Sequence, residues 1–156
     1  MYLKSYTIDR ELALEILSWQ YEEPYELYNN EINEEALKEL LENPYTAVLD
    51  EEKSLTGFYC YGESAQVPAG RLSDAYHLPA IDVGIGMNPT LTGKGNGKLF
   101  FSFVLDELSK LFPEKPTRLT VAVFNKRAIK LYENMGFIKE GEFLNGATVF
   151  ITMLKK

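Results

Sequence analysis

The sequence predicts a mixed α/β fold in a single domain, residues 1–156. Apolar residues alternate with the period of a strand in short segments and recur with the period of a helix in longer ones, in the order β-α-α-β-β-β-α-β-α-β-β. The chain has 156 residues, 46% of them hydrophobic, and is therefore long enough to bury a core of its own. No internal repeat or interdomain linker divides it.

The first part of the chain contains three predicted strands and two predicted helices. The strands are Tyr2–Ile8, Tyr45–Leu49 and Leu55–Tyr61, of which the last two form a hairpin. Asp9 is the expected cap of the first helix, and Asn33 is the expected cap of the amphipathic segment Glu34–Glu42. The following residues, Gly62–Pro79, show no clear period and are predicted as a long connection.

The rest of the chain is organised around a strand that runs into a glycine-rich turn and then into a helix, Asp82–Leu108. Gly93, Gly95 and Gly97 stand at alternate positions, so the backbone can adopt conformations in which successive N–H groups converge on one point. The helix that follows places the positive end of its dipole behind the same turn. This pattern predicts a phosphate site.

Two common phosphate-binding templates do not fit this turn. A P-loop requires glycine where Thr92 stands and a hydroxyl where Leu99 stands. A dinucleotide fingerprint requires glycine where Lys98 or Phe100 stands, depending on the starting glycine. Neither ATP hydrolysis nor dinucleotide binding is therefore expected.

The turn Thr92–Gly97 resembles motif A of the GNAT family of N-acetyltransferases, Arg/Gln-x-x-Gly-x-Gly/Ala, with Thr92 in place of the usual Arg or Gln. A second resemblance lies downstream. The segment Asn125–Phe137 is similar to the family signature Asn-x-x-Ala-x-x-Leu-Tyr-x-x-x-Gly-Phe, and the strand Leu119–Phe124 precedes it. The resemblance implies the GNAT fold, a mixed and mostly antiparallel central sheet flanked by helices.

The resemblance also implies which residues bind acetyl-CoA. Backbone N–H groups at the end of the central strand would contact the pantetheine arm and thioester, the turn would hold the pyrophosphate, and the downstream helix would contribute its first residues. These positions are Ile85, Gly86, Met87, Thr92, Gly93, Lys94, Gly95, Asn96, Gly97, Lys98, Asn125 and Ala128. By the same resemblance, Tyr132 is the expected general acid toward the coenzyme thiolate, although its helical spacing with Ala128 and Met135 also fits a core residue.

The proton acceptor is left open by the sequence. An amine with a pKa of about 10.4 is mostly protonated at pH 7, so a carboxylate or a water chain must remove its proton. Asp82, at the start of the central strand, is one candidate. Glu22 and Glu23 are the others, and they lie in the aromatic segment Trp19–Asn30.

That aromatic segment is predicted to be a loop or a broken helix, because Pro24 interrupts it. Trp19, Tyr21 and Tyr25, with acidic neighbours, would form a wall for a cationic amine. In GNAT proteins the corresponding region resembles an acceptor-binding segment. The alternative is a surface loop held by buried aromatic rings.

These observations predict an acetyl-CoA-dependent N-acetyltransferase that acts on a small cationic amine by direct attack in a ternary complex. Two alternatives stay open. One is a non-catalytic acyl-CoA-binding module on the same fold, and the other is an enzyme that acetylates protein N-termini or lysines. Measurement of amine-dependent thiol release separates the enzyme from the binding module.

Composition narrows the partners and the compartment. The net charge of −7 and pI near 4.8 argue against nucleic acid as a partner. One Cys and one His form no zinc-type cluster, so no metal is expected, and a reducing compartment, the cytoplasm, follows from the cysteine count. No apolar run approaches a membrane span. The family resemblance makes a homodimer an expected assembly.

Overall fold

The computed structural model describes residues 2–156, and its elements confirm the predicted fold class. The strands are β1 Lys4–Thr7, β2 Tyr45–Leu49, β3 Leu55–Tyr61, β4 Ile81–Met87, β5 Thr117–Ala122, β6 Ile138–Asn145 and β7 Thr148–Lys155. The helices are α1 Arg10–Ser18, α2 Glu34–Glu42, α3 Pro68–Leu72, α4 Gly97–Leu111 and α5 Lys126–Asn134. The strand order β1-β2-β3-β4-β5-β7-β6 is mostly antiparallel, as predicted, with β4 and β5 parallel.

The predicted helix caps are confirmed by side-chain hydrogen bonds. Asp9 accepts from the N–H of Leu12 at 2.8 Å, and Asn33 accepts from the N–H of Ala36 at 2.8 Å. Each bond satisfies a backbone donor that the first turn of a helix leaves without an intrahelical partner. The sequence therefore located the beginnings of α1 and α2 correctly.

The connection between β3 and β4 contains more structure than predicted. A 3-10 turn spans Gly62–Ala65, and α3 follows at Pro68–Leu72. The hydroxyl of Tyr76 accepts a hydrogen bond of 2.9 Å from the N–H of Val67, the residue before α3. A helix of five residues is too short for apolar periodicity to identify it, which explains the omission.

The chain forms two compact units, and the first comprises the residues up to Cys60 together with Ile85–Phe103. In this unit β1 pairs with β2, and β2 pairs with β3, both in antiparallel register. Helices α1 and α2 bury their apolar faces with β2 and β3 in one cluster. Its fully buried members include Ala13, Ile16, Leu17, Trp19, Leu37, Leu40, Ala47 and Leu55.

The second unit comprises Tyr61–Gly84 and Val104–Lys156. Its strands β5 and β6 both pair with β7 in antiparallel register. Asn145 and Thr148 close the β6–β7 hairpin, and Gly146 has a φ of +63°, which is typical of an Asn-Gly hairpin turn. In parallel register, Ile81 pairs with Thr117, and Asp82 pairs with Arg118.

The prediction of a single domain over residues 1–156 stays a prediction. Within residues 2–156, no helix is both long and apolar enough to cross a membrane.

Candidate active site

The glycine-rich turn lies between the end of β4 and the beginning of α4, in the first unit. Asn88 caps a 3-10 turn at Pro89–Leu91, and the chain then passes through Gly93 and Gly95. These two glycines have φ values of +72° and +80°, a region that side chains with a Cβ rarely adopt. The predicted need for glycine at both positions is therefore confirmed.

The side chains of the turn hold its own backbone. The hydroxyl of Thr92 donates to the carbonyl of Pro89 at 2.9 Å, and its N–H donates to the same carbonyl at 3.4 Å. The Asn96 amide donates to the carbonyl of Leu91 at 3.1 Å. Both donors of Thr92 are engaged in the turn, so this geometry argues against the predicted contact between Thr92 and the coenzyme.

The outer side of the turn is open to solvent. Gly93, Lys94 and Gly95 are exposed, and a Cβ added at Gly95 would meet no atom within 4 Å. Lys98, in the first turn of the 15-residue helix α4, is also exposed. Backbone donors, a helix N-terminus and two ammonium groups therefore lie together, as the binding of a pyrophosphate requires.

The end of β4 is packed tightly against β3 in the same unit. A Cβ at Gly86 would overlap the ring of Phe58, and a Cβ at Gly57 would lie 2.5 Å from the carbonyl oxygen of Gly86. Glycine is therefore required at position 86 by packing within the protein. The sequence placed Gly86 among the expected coenzyme contacts, and the structure shows a packing reason for this glycine that needs no ligand.

The aromatic segment divides into a buried part and an exposed part. Trp19 is 8% exposed and stacks on Phe58 with ring centroids 6.1 Å apart, so its position argues against the predicted contact with an acceptor. Tyr21 and Tyr25 are half-buried, and a 3-10 turn follows at Glu26–Tyr28. The carboxylates of Glu22, Glu23 and Glu26 are exposed.

Tyr21 connects this segment to the end of β4. Its hydroxyl donates to the carbonyl oxygen of Met87 at 2.8 Å, and its N–H donates to Asn29 Oδ1 at 2.6 Å. Burial raises the pKa of the Tyr21 phenol to about 12, so the group stays protonated at neutral pH. The structure therefore brings together two positions that the sequence placed in separate parts of the site.

Asp82 occupies a different environment, in the second unit. It is 4% exposed, and its carboxylate accepts from Arg118 Nε at 2.7 Å and from Arg118 Nη2 at 2.8 Å. Gln66 Nε2 donates to the same carboxylate at 2.9 Å. A buried carboxylate that already accepts three hydrogen bonds is a poor acceptor for a substrate proton. The base role of Asp82 stays a prediction, and this geometry argues against it.

Arg118 is the important residue that sequence reasoning missed. It is 2% exposed, donates to the carbonyl of Leu78 at 2.7 Å, and lies over the ring of Tyr76 at 5.1 Å. The hydrogen bonds that Arg118 donates to Asp82 raise the pKa of its guanidinium further. The sequence signal was an arginine within an apolar strand, because such a charge is buried only together with a partner.

Helix α5 contains the remaining predicted residues, also in the second unit. Asn125 caps the helix by accepting from the N–H of Ala128 at 3.2 Å, so the N–H of Ala128 already has a partner within the protein. Tyr132 is 8% exposed, with its ring 6.2 Å from the ring of Phe137. Gly136 ends the helix with a φ of +95°.

The mixed sheet with flanking helices and the open glycine turn are typical of an α/β enzyme, and comparison with known proteins identifies its family. The model of the acetyltransferase (GNAT) family matches residues 10–137. The spermidine N(1)-acetyltransferase of Vibrio cholerae is 31% identical over an alignment of 149 residues. The match covers 84% of this chain and 73% of the relative. The chain belongs to the GNAT family and is an N-acetyltransferase, as the sequence predicted.

Solved structures show the same fold. A GNAT-family acetyltransferase from Bacillus anthracis superimposes with a TM-score of 0.73 at 13% identity, covering 99% of this chain and 94% of the other. A dodecameric spermidine N-acetyltransferase from Vibrio cholerae superimposes with a TM-score of 0.66 at 24% identity, covering 97% and 92%. Members of the family use acetyl-CoA. Within residues 2–156, the side chains of His, Cys, Asp and Glu form no group of three or more that could hold a metal ion.

Proposed function

We propose that this N-acetyltransferase binds acetyl-CoA at the turn before α4 and transfers the acetyl group to a small polyamine. The open turn is the observation that supports coenzyme binding most strongly. It combines two glycines with positive φ, a helix N-terminus and two exposed lysines within six residues, 93–98. Among residues 2–156, no atom lies within 4 Å of a Cβ added at Gly95, so a phosphate oxygen can approach the backbone there.

The parts of the coenzyme are assigned along the chain in the proposed complex. The pyrophosphate contacts the backbone of Gly93–Lys98, while Lys94 and Lys98 add positive charge. The pantetheine arm and thioester lie along Ile85, Gly86 and Met87, as in the family, where backbone N–H groups polarise the carbonyl. Asn125 remains a proposed contact of the same arm in addition to its role as a cap.

The proposed acceptor is a polyamine, and two independent observations support it. The relative from Vibrio cholerae is named for spermidine. In this chain, Glu22, Glu23 and Glu26 form an exposed acidic group in the segment predicted to bind the acceptor. A net charge of −7 also favours association with a polycation. We propose Tyr25, half-buried within this acidic group, as a ring contact of the amine.

Direct transfer accounts for every atom without an enzyme nucleophile. A carboxylate or water accepts one proton from the ammonium, and the neutral nitrogen attacks the thioester carbon. The tetrahedral oxyanion is stabilised by backbone N–H donors, the C–S bond breaks, and the thiolate leaves. The thiolate then gains a proton, while the second proton of the attacking nitrogen passes to solvent or base.

Three side chains are assigned by proposal in this reaction. Tyr132 is the proposed general acid for the thiolate. Glu22 and Glu23 are the preferred proton acceptors, because both are exposed near the proposed amine contact, whereas Asp82 is occupied by Arg118.

The test follows the release of free thiol from acetyl-CoA in the presence of different acceptors. We expect thiol release with spermidine, less release with butylamine, and little with a lysine-containing peptide. Butylamine has the four-carbon chain of one arm of spermidine but only one positive charge. Rapid release with the peptide and none with spermidine would refute the polyamine acceptor. Binding of acetyl-CoA without release for any amine would refute catalysis and favour a binding module.

Assembly and location are also proposed. A homodimer was expected from the family, and one relative is dodecameric, so we propose that this chain forms a homo-oligomer; light scattering gives the number of subunits. We also propose a cytoplasmic location, because one cysteine cannot form an intramolecular disulfide. Detection of the protein in fractionated cells tests the location.

A further inference from the structure

The hydrogen bond between Tyr21 and Met87 joins residues that are 66 positions apart, and both belong to the first unit. Tyr21 lies between α1 and α2, in the segment proposed to bind the amine. Met87 is the last residue of β4, in the segment proposed to hold the thioester. One hydroxyl group therefore connects the segment proposed to bind the amine with the segment proposed to hold the thioester.

The peptide between Met87 and Asn88 is held at both ends. Its carbonyl oxygen accepts from Tyr21 at 2.8 Å, and its N–H donates to the carbonyl of Thr56 at 2.9 Å. The Asn88 side chain also donates to the carbonyl of Leu55 at 3.0 Å. Because a peptide group is planar, two bonds on opposite sides determine its orientation. Tyr21 supplies the only one of these three bonds that does not come from β3.

Tyr21 is itself held in place by the aromatic segment. Its N–H donates to Asn29 Oδ1 at 2.6 Å, and Asn29 in turn donates to Gln20 Oε1 at 3.2 Å. Its ring meets that of Tyr28 edge-on with centroids 6.4 Å apart, and it packs against the core cluster that includes Trp19. The position of the hydroxyl therefore depends on the folded conformation of this segment.

The protonation state of Tyr21 is compatible with a permanent donor. Burial raises the pKa of the phenol to about 12, so the hydroxyl keeps its proton across the range in which acetyltransferases work. A carbonyl oxygen can only accept a hydrogen bond, so the donor in this pair is Tyr21.

We infer that Tyr21 is a positioning residue for acetyl transfer, whose hydroxyl holds the end of β4 in the orientation that presents the thioester. This inference rests on the proposed function. The inference concerns the hydroxyl of Tyr21, whereas the predicted contact with the amine concerns its ring. Substitution by Phe removes the hydroxyl and keeps the ring, so the two roles can be tested separately. Loss of the hydroxyl alone frees one side of the peptide, and a displacement of about 1 Å at a reacting group is sufficient to slow a reaction about 100-fold.

The test compares Tyr21→Phe with Tyr59→Phe. Both substitutions remove one phenolic hydroxyl and keep the ring. The hydroxyl of Tyr59 bonds to Ser5 Oγ at 3.1 Å, so the control also loses one side-chain hydrogen bond within the first unit. For Tyr21→Phe we expect a kcat about tenfold lower, with the KM for spermidine and the Kd for acetyl-CoA within about twofold of wild type. Tyr59→Phe should keep the wild-type kcat.

A second measurement does not depend on the acceptor. Exchange of the Asn88 amide hydrogen reports the bond to Thr56, and we expect it to be at least about fivefold faster in Tyr21→Phe than in Tyr59→Phe. Unchanged exchange would overturn the inference, as would a wild-type kcat in Tyr21→Phe or a loss confined to the KM for spermidine. If wild type acetylates no amine, the proposed function fails, and the exchange experiment still decides whether the hydroxyl fixes the end of β4.

Discussion

The turn before α4 and the ion pair in the second unit differ in how their polar groups are used. In the turn, Gly93 and Gly95 are exposed, and a Cβ added at Gly95 would meet no atom of residues 2–156 within 4 Å. In the ion pair, Asp82 and Arg118 are 4% and 2% exposed, and two hydrogen bonds of 2.7 and 2.8 Å join them. The first region has donors available to a ligand, whereas the second uses its charges within the protein.

The difference shows what residue type alone does not reveal about Asp82. A carboxylate at the start of a central strand has the chemistry of a base, but its neighbours decide whether that chemistry is available. Arg118 and Gln66 donate hydrogen bonds to the carboxylate oxygens of Asp82, and the carboxylate is buried. Glycine has no side-chain chemistry at all, and yet the glycine turn is the better candidate site. The following predictions test this contrast in order of decreasing effect.

The largest expected effect comes from removing the guanidinium of the buried pair. Arg118→Met leaves the Asp82 carboxylate buried without its main partner, which typically destabilises a protein by about 3–5 kcal/mol. Urea unfolding measures this loss. The control is Arg10→Met, because Arg10 and Glu34 form an ion pair with side chains 60% and 85% exposed, worth roughly 0–1 kcal/mol at most. Equal losses of unfolding free energy in the two variants would show that the buried ion pair stabilises the protein no more than the exposed one does.

The second prediction tests whether a buried residue of the second unit takes part in the chemistry. Tyr132→Phe should lower kcat by about 100-fold or more, because the thiolate loses its proton donor, with little change in acetyl-CoA affinity. Steady-state kinetics and calorimetry measure both quantities.

The matched control for Tyr132 is Tyr76→Phe in the same unit. The hydroxyl of Tyr76 is 2.8 Å from Thr120 Oγ1 and accepts from the N–H of Val67. We expect this variant to lose stability and to retain its kcat. Wild-type turnover in Tyr132→Phe would mean that Tyr132 only packs against its neighbours.

The third prediction concerns the open side of the turn. Gly95→Ala places a methyl group where the pyrophosphate is proposed to bind, and it also strains a backbone with a φ of +80°. The Kd for acetyl-CoA should rise about tenfold or more, which corresponds to about 1.4 kcal/mol.

Gly146→Ala controls for the backbone strain in that experiment. Gly146 has a φ of +63°, and a Cβ there would also meet nothing within 4 Å, but it lies in the β6–β7 hairpin. Both variants should lose similar stability, about 1–2 kcal/mol. A coenzyme affinity that falls equally in both variants would contradict the placement of the pyrophosphate.

The smallest effect is expected at alkaline pH. The folded-state pKa of Tyr21 is about 12 against an ordinary value of 10.0, so the folded protein holds this proton more tightly than the unfolded chain does. The resulting stability is fully present below pH 10 and is lost as the pH rises from about 10 to 12. Tyr21→Phe should therefore lose less stability than wild type between pH 9 and pH 11 in urea unfolding. Tyr2→Phe, at a ring 78% exposed, is the control, and identical slopes for all three proteins would refute the prediction.

Elements with a strong local signal were predicted well. Asp9 and Asn33 were identified as caps because a cap requires only a short polar side chain before an apolar period. The turn at Gly93–Gly97 was identified because few residues other than glycine adopt positive φ. Helix α3 and the engagement of Thr92 were missed, because both depend on neighbours that no local pattern identifies.

The sequence by itself determined the order of the strands and of the helices other than α3, the glycine turn and the family. These features depend on backbone conformation and on periodicity, which a short stretch of chain encodes locally. Only the tertiary structure decided that Arg118 donates a hydrogen bond to Asp82 and that the hydroxyl of Tyr21 donates one to the carbonyl of Met87. It also decided that the ring of Phe58 requires glycine at position 86. The physical reason is that hydrogen bonds and packing between distant segments depend on distances in space, which the fold as a whole sets.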